Sequence, residues 1–317
     1  MNADLLISRR DQIRKGQIPK QQPYLKPSLS YDQQADRLIE RGLIAGKSKL
    51  VEILSNISYY HLSAYIYPFK IDNSDKLQPG TTLEQIYRRY RFDRQLRCLV
   101  LDALERIETA LKTKIVNIFT QQYGAFGYID KNNYNGISQG EFEKLLNTID
   151  SEVNRHLKSN EQFVTHYFNK YDEADLPFWM AAELLTFGSV LTMFRKMHRS
   201  IQQQIANEFG VPIVIMESWL LTLNHVRNIC AHHARLWNRR LGVRPQIPNT
   251  KKHPEWTSVK NDKPFVVLLM LSQFLRKCAP CSEWRKRIED LTDEYSDLPL
   301  NCMDFSENWK KHVLWRS

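Results

Sequence analysis

The sequence predicts an all-α protein, and three observations carry that expectation. Apolar residues recur at intervals of three and four over long stretches, no run of alternating strands is found, and the segment from Leu83 to Tyr123 contains neither Pro nor Gly. The chain has 317 residues, 42% of them hydrophobic, with 14 Tyr, 14 Phe and 7 Trp, which is enough apolar material to fill a core. That length fits one large helical body or two smaller domains.

Up to about Pro27 the chain is basic and broken by prolines, with Arg9, Arg10, Arg14, Lys15, Lys20 and Lys26 against Asp4 and Asp11. Such an arm is expected either to be disordered or to lie along RNA. Helical spacing begins near Asp32 with Ala35, Leu38 and Ile39, and a stop is expected at Gly42. One or two short helices are predicted over Lys47 to Tyr67, ending before Pro68.

Beyond a polar loop at Asp72 to Gly80, the segment from Leu83 to Thr120 places Leu83, Ile86, Tyr87, Tyr90, Leu96, Leu99, Val100, Leu104, Ile107, Leu111, Ile115 and Ile118 on one stripe. It reads as a long spine helix of roughly 55 Å. A connector rich in Gly, Asn and Tyr is predicted at Tyr123 to Gln139, followed by polar helices over about Gly140 to Asn169. Leu176 to Met197 reads as one more apolar helical segment, with Pro177 in its first turn and Gly188 where another backbone could approach. Further helices are predicted from about Pro212 to Ala231 and from Phe265 to Lys277. The expected organisation is an arm over 1–28, a main helical domain over 29–245 and an extension over 246–317 packed on the same body.

A formal charge of +10 favours a polyanionic partner, either a nucleic acid or an anionic membrane surface. The longest apolar run, Phe265 to Leu271, is far short of the ~20 residues that a bilayer requires, so the expectation is a soluble, cytoplasmic protein. Five cysteines in a chain of this length do not make a disulfide framework. Cys278 and Cys281 form a CAPC string, but no second Cys pair or His pair completes a zinc site, so no metal and no cofactor is expected. Phosphate loops of the GxxxxGK[ST] or GxGxxG type are absent from the sequence, which leaves nucleotide triphosphate hydrolysis unsupported.

The most informative segment is ESWLLTLNHVRNICAHHARLWNRR, from Glu217 to Arg240. Trp219, Leu220, Leu223, Val226 and Cys230 give it a buried side, and on that helix sit Arg227, Asn228 and, after three more residues, His232 and His233. These residue types suit metal-free RNA cleavage. A histidine titrates near neutrality and can take or give a proton, and the guanidinium of Arg227 would hold the phosphate through a planar fork of donors. Asn228 is a candidate orienting group, and His233 is either a second proton carrier or a bystander. The competing account is that an Arg and a His merely suit the negative end of a helix. Five residues along an ideal helix turn through about 140°, so Arg227 and His232 should not share a face. Either the helix ends near Ala231 and swings His232 back, or two chains contribute to one site.

The string RNICAHHARLWNR resembles the signature of the Abi-like proteins, the AbiD and AbiF group of abortive-infection proteins. So do SYYHLSAYIYPF from Ser58, IYRRYRFDRQLR from Ile86, ALERIETALK from Ala103 and ELLTFGSVLTMF from Glu183, in the same order. The resemblance runs over roughly Leu29 to Arg240. It implies a HEPN-like helical bundle, in which an Arg is followed after four to six residues by His. Arg227 meets that spacing with either His232 or His233. It also implies a homodimer whose paired motifs form one metal-independent endoribonuclease site, with products ending in a 2′,3′-cyclic phosphate. Some Abi-like proteins are paired with small noncoding RNAs, so a noncoding guide or antitoxin RNA is an expected partner besides the RNA substrate.

Arg94 and Arg97 are candidates for RNA contact, set against an internal salt-bridge network with Asp93, Glu105 and Glu108. Tyr59, Tyr60 and Tyr65 could stack bases or fill the core. The basic run of Arg235, Arg239, Arg240, Arg244, Lys251 and Lys252, interleaved with Trp237 and Trp256, could bind phosphate and stack bases or form a solvated face. The expected function is an anti-phage effector that is toxic through RNA cleavage. The rival is a non-cleaving dimer that sequesters a structured RNA.

Overall fold

The computed structural model describes residues 3–15 and 25–316. All 14 α-helices and the seven short 3₁₀ turns among them fall in this set, and no strand is formed among the described residues. The chain divides into two compact units, Met1–Leu83 and Glu84–Ser317.

In the first unit, α1 (Ala3–Arg14) makes part of the basic arm helical, where disorder was one of the two expectations. The expectation for Lys20 and its neighbours lies outside the described residues. Helix α2 (Tyr31–Glu40) starts one residue after Ser30, whose hydroxyl accepts from the Gln33 amide while the Gln33 side chain accepts from the Ser30 amide. This reciprocal pair satisfies two N–H groups that a helix start otherwise leaves bare. Gly42, at φ 99°, turns the chain after it. Helix α2 packs on α3 (Lys47–Asn56), and α4 (Tyr59–Ile66) runs into a 3₁₀ turn that includes Pro68.

The second unit is built on α5 (Leu83–Tyr123), a single helix of 41 residues. Most of its stripe is buried: Ile86, Val100, Ile107 and Leu111 are each fully shielded, while Tyr87, Tyr90 and Ile118 are half-buried. Around it lie α6 (Gln139–Lys158), α7 (Gln162–Lys170), α8 (Phe178–Ala181), α9 (Phe187–Lys196), α10 (Arg199–Phe209) and α11 (Ile213–Ala231). Helices α12 (Pro264–Cys278), α13 (Trp284–Glu294) and α14 (Val313–Arg316) complete it. Helix α12 packs on α10 and α11, and nearly every residue from Pro264 to Leu275 is buried. The Trp284 indole donates to the Leu99 carbonyl at 2.7 Å, tying α13 to α5. No single described helix is long and apolar enough to cross a membrane.

The one predicted helix over Leu176 to Met197 is instead α8, a 3₁₀ turn and α9. Leu185 and Thr186 are extended, and the Thr186 hydroxyl accepts from the Ser189 amide to start α9 afresh. Pro177 is the residue before α8, not within its first turn. What approaches Gly188 is a side chain rather than a backbone: a Cβ there would lie 3.4 Å from Nδ2 of Asn224 on α11.

Candidate active site

Pro212 stands immediately before α11 as its N-cap, with a φ of −58° fixed by its ring, and offers no side-chain acceptor to the first helical amides. The helix buries Trp219, Leu220, Leu223, Val226 and Cys230, as the apolar spacing predicts. Its far end carries the motif. Arg227 is half-buried, while Asn228, His232 and His233 are exposed, so all four side chains reach solvent. Among the described residues none of the four has a side-chain hydrogen bond or ion pair within the chain.

The helix ends in a defined turn. The His233 amide donates to the Cys230 carbonyl at 3.1 Å and the Ala234 amide to the Ile229 carbonyl at 2.9 Å, with His233 at φ 57°. This is the two-bond helix stop that usually places Gly at the left-handed position. The turn comes one residue too late to re-aim His232, whose φ of −87° is still near helical. Its Cβ therefore keeps the helical azimuth, about 140° around the axis from Arg227. Of the two arrangements open from the sequence, the helix does end at Ala231, but it does not swing His232 back onto the face of Arg227. His232 instead shares a face with Asn228, four residues earlier.

The segment after the turn is held by a buried carboxylate. Asp93 on α5 is fully shielded and accepts from the Trp237 amide at 2.6 Å and from the Leu236 amide at 3.2 Å. Arg97, one turn along α5, is 5% exposed and closes an ion pair with the same carboxylate. A buried charge this well furnished with donors is retained where it fixes a backbone, because a bare one would cost several kcal/mol, roughly 3–5. The internal salt-bridge account of Arg97 thus matches its placement, which leaves its guanidinium away from any RNA.

Two tryptophans are corrected in the same way. Trp237 is 2% exposed and packs edge-on against Phe92 at 5.4 Å; Trp256 is 3% exposed and packs on Trp219 at 5.2 Å. Neither ring presents a face on which a base could stack. The cations of the region are different. Arg94, Arg240 and Arg244 are exposed, as are Lys251 and Lys252, and Arg240 has only a long approach to Asp262 at 3.9 Å. Arg235 and Arg239 are half-buried, with Arg239 donating to the Arg235 carbonyl at 3.2 Å.

His225 was not singled out by the motif spacing, yet it lies on α11 seven residues before His232, two turns along the same face. Burial, and then the charge of Arg239, hold its imidazole below the ordinary histidine range. The intervals 225, 228 and 232 were the available signal. Gly242 lies beside this ring, where a Cβ would make ordinary contact with Nε2 at 3.5 Å.

All five cysteines are free thiols, and Cys230, behind the motif, is pushed up to about 12 by burial. Among the described residues no group of three His, Cys, Asp or Glu side chains is placed to hold a metal ion.

No curated protein and no solved structure matches the chain. The model of one protein family does, over residues 52–238, which runs from within α3 through α11 to the segment that Asp93 holds. More than half of the chain lies in that match, and the protein belongs to the Abi-like protein family.

Proposed function

We propose that this chain is a HEPN-type endoribonuclease of abortive infection, which cuts RNA without a metal and stops phage propagation by its toxicity. One observation carries the reading: Arg227 and His232 both reach solvent at the end of a helix, with no side-chain partner among the described residues, directly before a segment held by a buried carboxylate. Groups held on a helix yet left without a side-chain partner are free to act on a ligand.

The chemistry is transesterification. A histidine removes the proton of a ribose 2′-OH, the 2′-oxygen bonds to phosphorus, and the P–O5′ bond breaks. A protonated histidine gives its proton to the departing 5′-oxygen, leaving a 2′,3′-cyclic phosphate and a 5′-hydroxyl. The guanidinium of Arg227 neutralises the charge that gathers on the phosphate meanwhile. The azimuths of Arg227 and His232 within one chain favour a site completed by a second copy, in which each chain offers the group the other cannot aim. The α11 face bearing Asn228 and His232 also carries Val214, 50% exposed. Between them Ser218, Leu221 and His225 are half-buried, so the exposed ground on which a second copy could meet this face lies at the helix end, at Asn228 and His232.

RNA incubated with the purified protein should give shorter products with cyclic phosphate ends. Arg227→Ala and His232→Ala should each lower the rate by a hundredfold or more, roughly the 10²–10³ of a lost electrostatic donor for Arg227 and the 10²–10⁴ of proton transfer for His232, with circular dichroism unchanged. If both variants cut at the wild-type rate, the assignment is wrong. The exposed cations at Arg240, Arg244, Lys251 and Lys252 favour a second reading, a non-cleaving dimer that sequesters a structured RNA. Filter binding that retains RNA of unaltered length would decide for it.

A further inference from the structure

The first unit contains a cavity of about 560 Å³ that the motif chemistry does not use. Its size falls within the range of roughly 300–1,000 Å³ typical of small-molecule sites. The lining is basic, with Lys26, Arg37, Arg41 and Lys70 against the single carboxylate of Asp75. Arg41 is pre-aimed: it donates to the Tyr59 hydroxyl at 2.6 Å and to Asp75 at 2.7 Å, and Lys70 reaches the same carboxylate at 2.9 Å. Arg37, exposed on α2, has no side-chain partner among the described residues. One carboxylate thus faces four cations, and the surplus charge calls for an anion.

Two further observations narrow the class of anion. Tyr60, which lines the cavity, is 88% exposed, and a ring left so open in a pocket wall suits a planar partner. Gln34, also in the lining, donates through Nε2 to the Leu29 carbonyl at 2.8 Å, which fixes the sense of its amide. Its Oε1 is buried and accepts no hydrogen bond from the described residues. A buried acceptor without a donor is costly, and a ligand N–H or O–H that reached it on binding would satisfy it. An anionic group, a flat ring and a hydrogen-bond donor together describe a nucleotide better than a carboxylic acid or a bare phosphate.

We propose that this cavity binds a nucleoside 5′-phosphate, its phosphate held by Arg37 and Arg41 and its base laid on Tyr60. The site is independent of the Arg227 and His232 chemistry. The ligand is either a free mononucleotide or the 5′-terminal nucleotide of an RNA strand, and the two sources share this recognition.

Calorimetric titration of the full chain tests the proposal with adenosine 5′-monophosphate, with inorganic phosphate, and with an octaribonucleotide carrying either a 5′-phosphate or a 5′-hydroxyl. One nucleotide should bind per chain. Arg37→Ala and Tyr60→Ala, both at exposed positions, should each weaken it at least tenfold, while Arg227→Ala and His232→Ala bind as wild type. A 5′-phosphorylated octamer that binds more tightly than the mononucleotide and competes with it identifies a strand end as the ligand. Equal or weaker binding by the octamer identifies the free nucleotide. The proposal fails if neither phosphorylated ligand binds at millimolar concentration, or if both variants bind like wild type. It fails as a nucleoside site if inorganic phosphate binds as tightly as the mononucleotide. Because the motif variants are scored in the same titrations, loss of the nuclease reading would leave this result standing, and the reverse holds too.

Discussion

At φ 57°, His233 holds a backbone conformation that an L-residue adopts at a cost of about 1 kcal/mol or more, at a position where helices usually place Gly. His233→Gly should therefore raise stability by roughly 0.5–1 kcal/mol, part of the relief being offset by the entropy of the new glycine. A higher urea midpoint checks this, and a lower one would mean that the exposed ring makes a contact of consequence. The same variant bears on the choice of proton carrier: if His232 carries the proton, cleavage by His233→Gly stays near the wild-type rate.

His225 and His312 add a dependence on pH at the same scale. Burial lowers both imidazole pKa values, with Arg239 contributing at His225. Both are thus neutral in the folded chain at a pH where the unfolded chain already binds protons. The stability that depends on them is complete above the unfolded value of about 6.5 and is lost as pH falls through the lower folded value. His225→Gln should flatten part of the fall in melting temperature below pH 6.5, and slopes identical to wild type would remove His225 from this account.

Among the elements, the join between α5 and the end of α11 is held by Asp93, 143 residues from the amide of Leu236. Asp93→Ala would remove the carboxylate that pairs with the buried Arg97 and accepts from the Leu236 and Trp237 amides. The expected loss is about 3–5 kcal/mol by chemical denaturation. A loss below about 1 kcal/mol would mean that water replaces the carboxylate. By contrast, Thr186→Ala removes only the cap of α9 and should cost about 1 kcal/mol.

These two sites also mark where the sequence was legible and where it was not. Helix α5 could be read directly, because its apolar period runs unbroken and nothing in it stops a helix. The interruption before α9 could not, since Leu184, Leu185 and Phe187 keep an apolar pattern across it and Thr186 is distinguished only by the bond it makes. Helix α13 was missed because its charge density hides the few buried positions, Trp284, Ile288 and Leu291. In the site, the residue types and spacing of Arg227 and His232 were plain. The burial of Arg97 and Trp237 was not, because it follows from a contact between segments far apart in the chain, which no local period records.

For the whole molecule, the azimuths on α11 make a prediction that a single chain cannot satisfy. If each site takes its Arg from one copy and its His from the other, Arg227→Ala and His232→Ala chains are each inactive alone but complement each other when mixed. A mixed pair then contains one site with both groups intact. With random exchange and two-fold symmetry, about half the pairs are mixed and half of their sites whole, so activity should recover to about a quarter of wild type. A site assembled within one chain would give no recovery, because every chain in the mixture lacks one of its groups. The wild type should likewise lose specific activity on dilution as pairs dissociate, while a self-contained site would keep it. Measured together, recovery on mixing and loss on dilution test whether the helix end works in pairs. Inactivity on mixing combined with constant specific activity would return Arg227 and His232 to one chain and require a movement of His232 around the helix end.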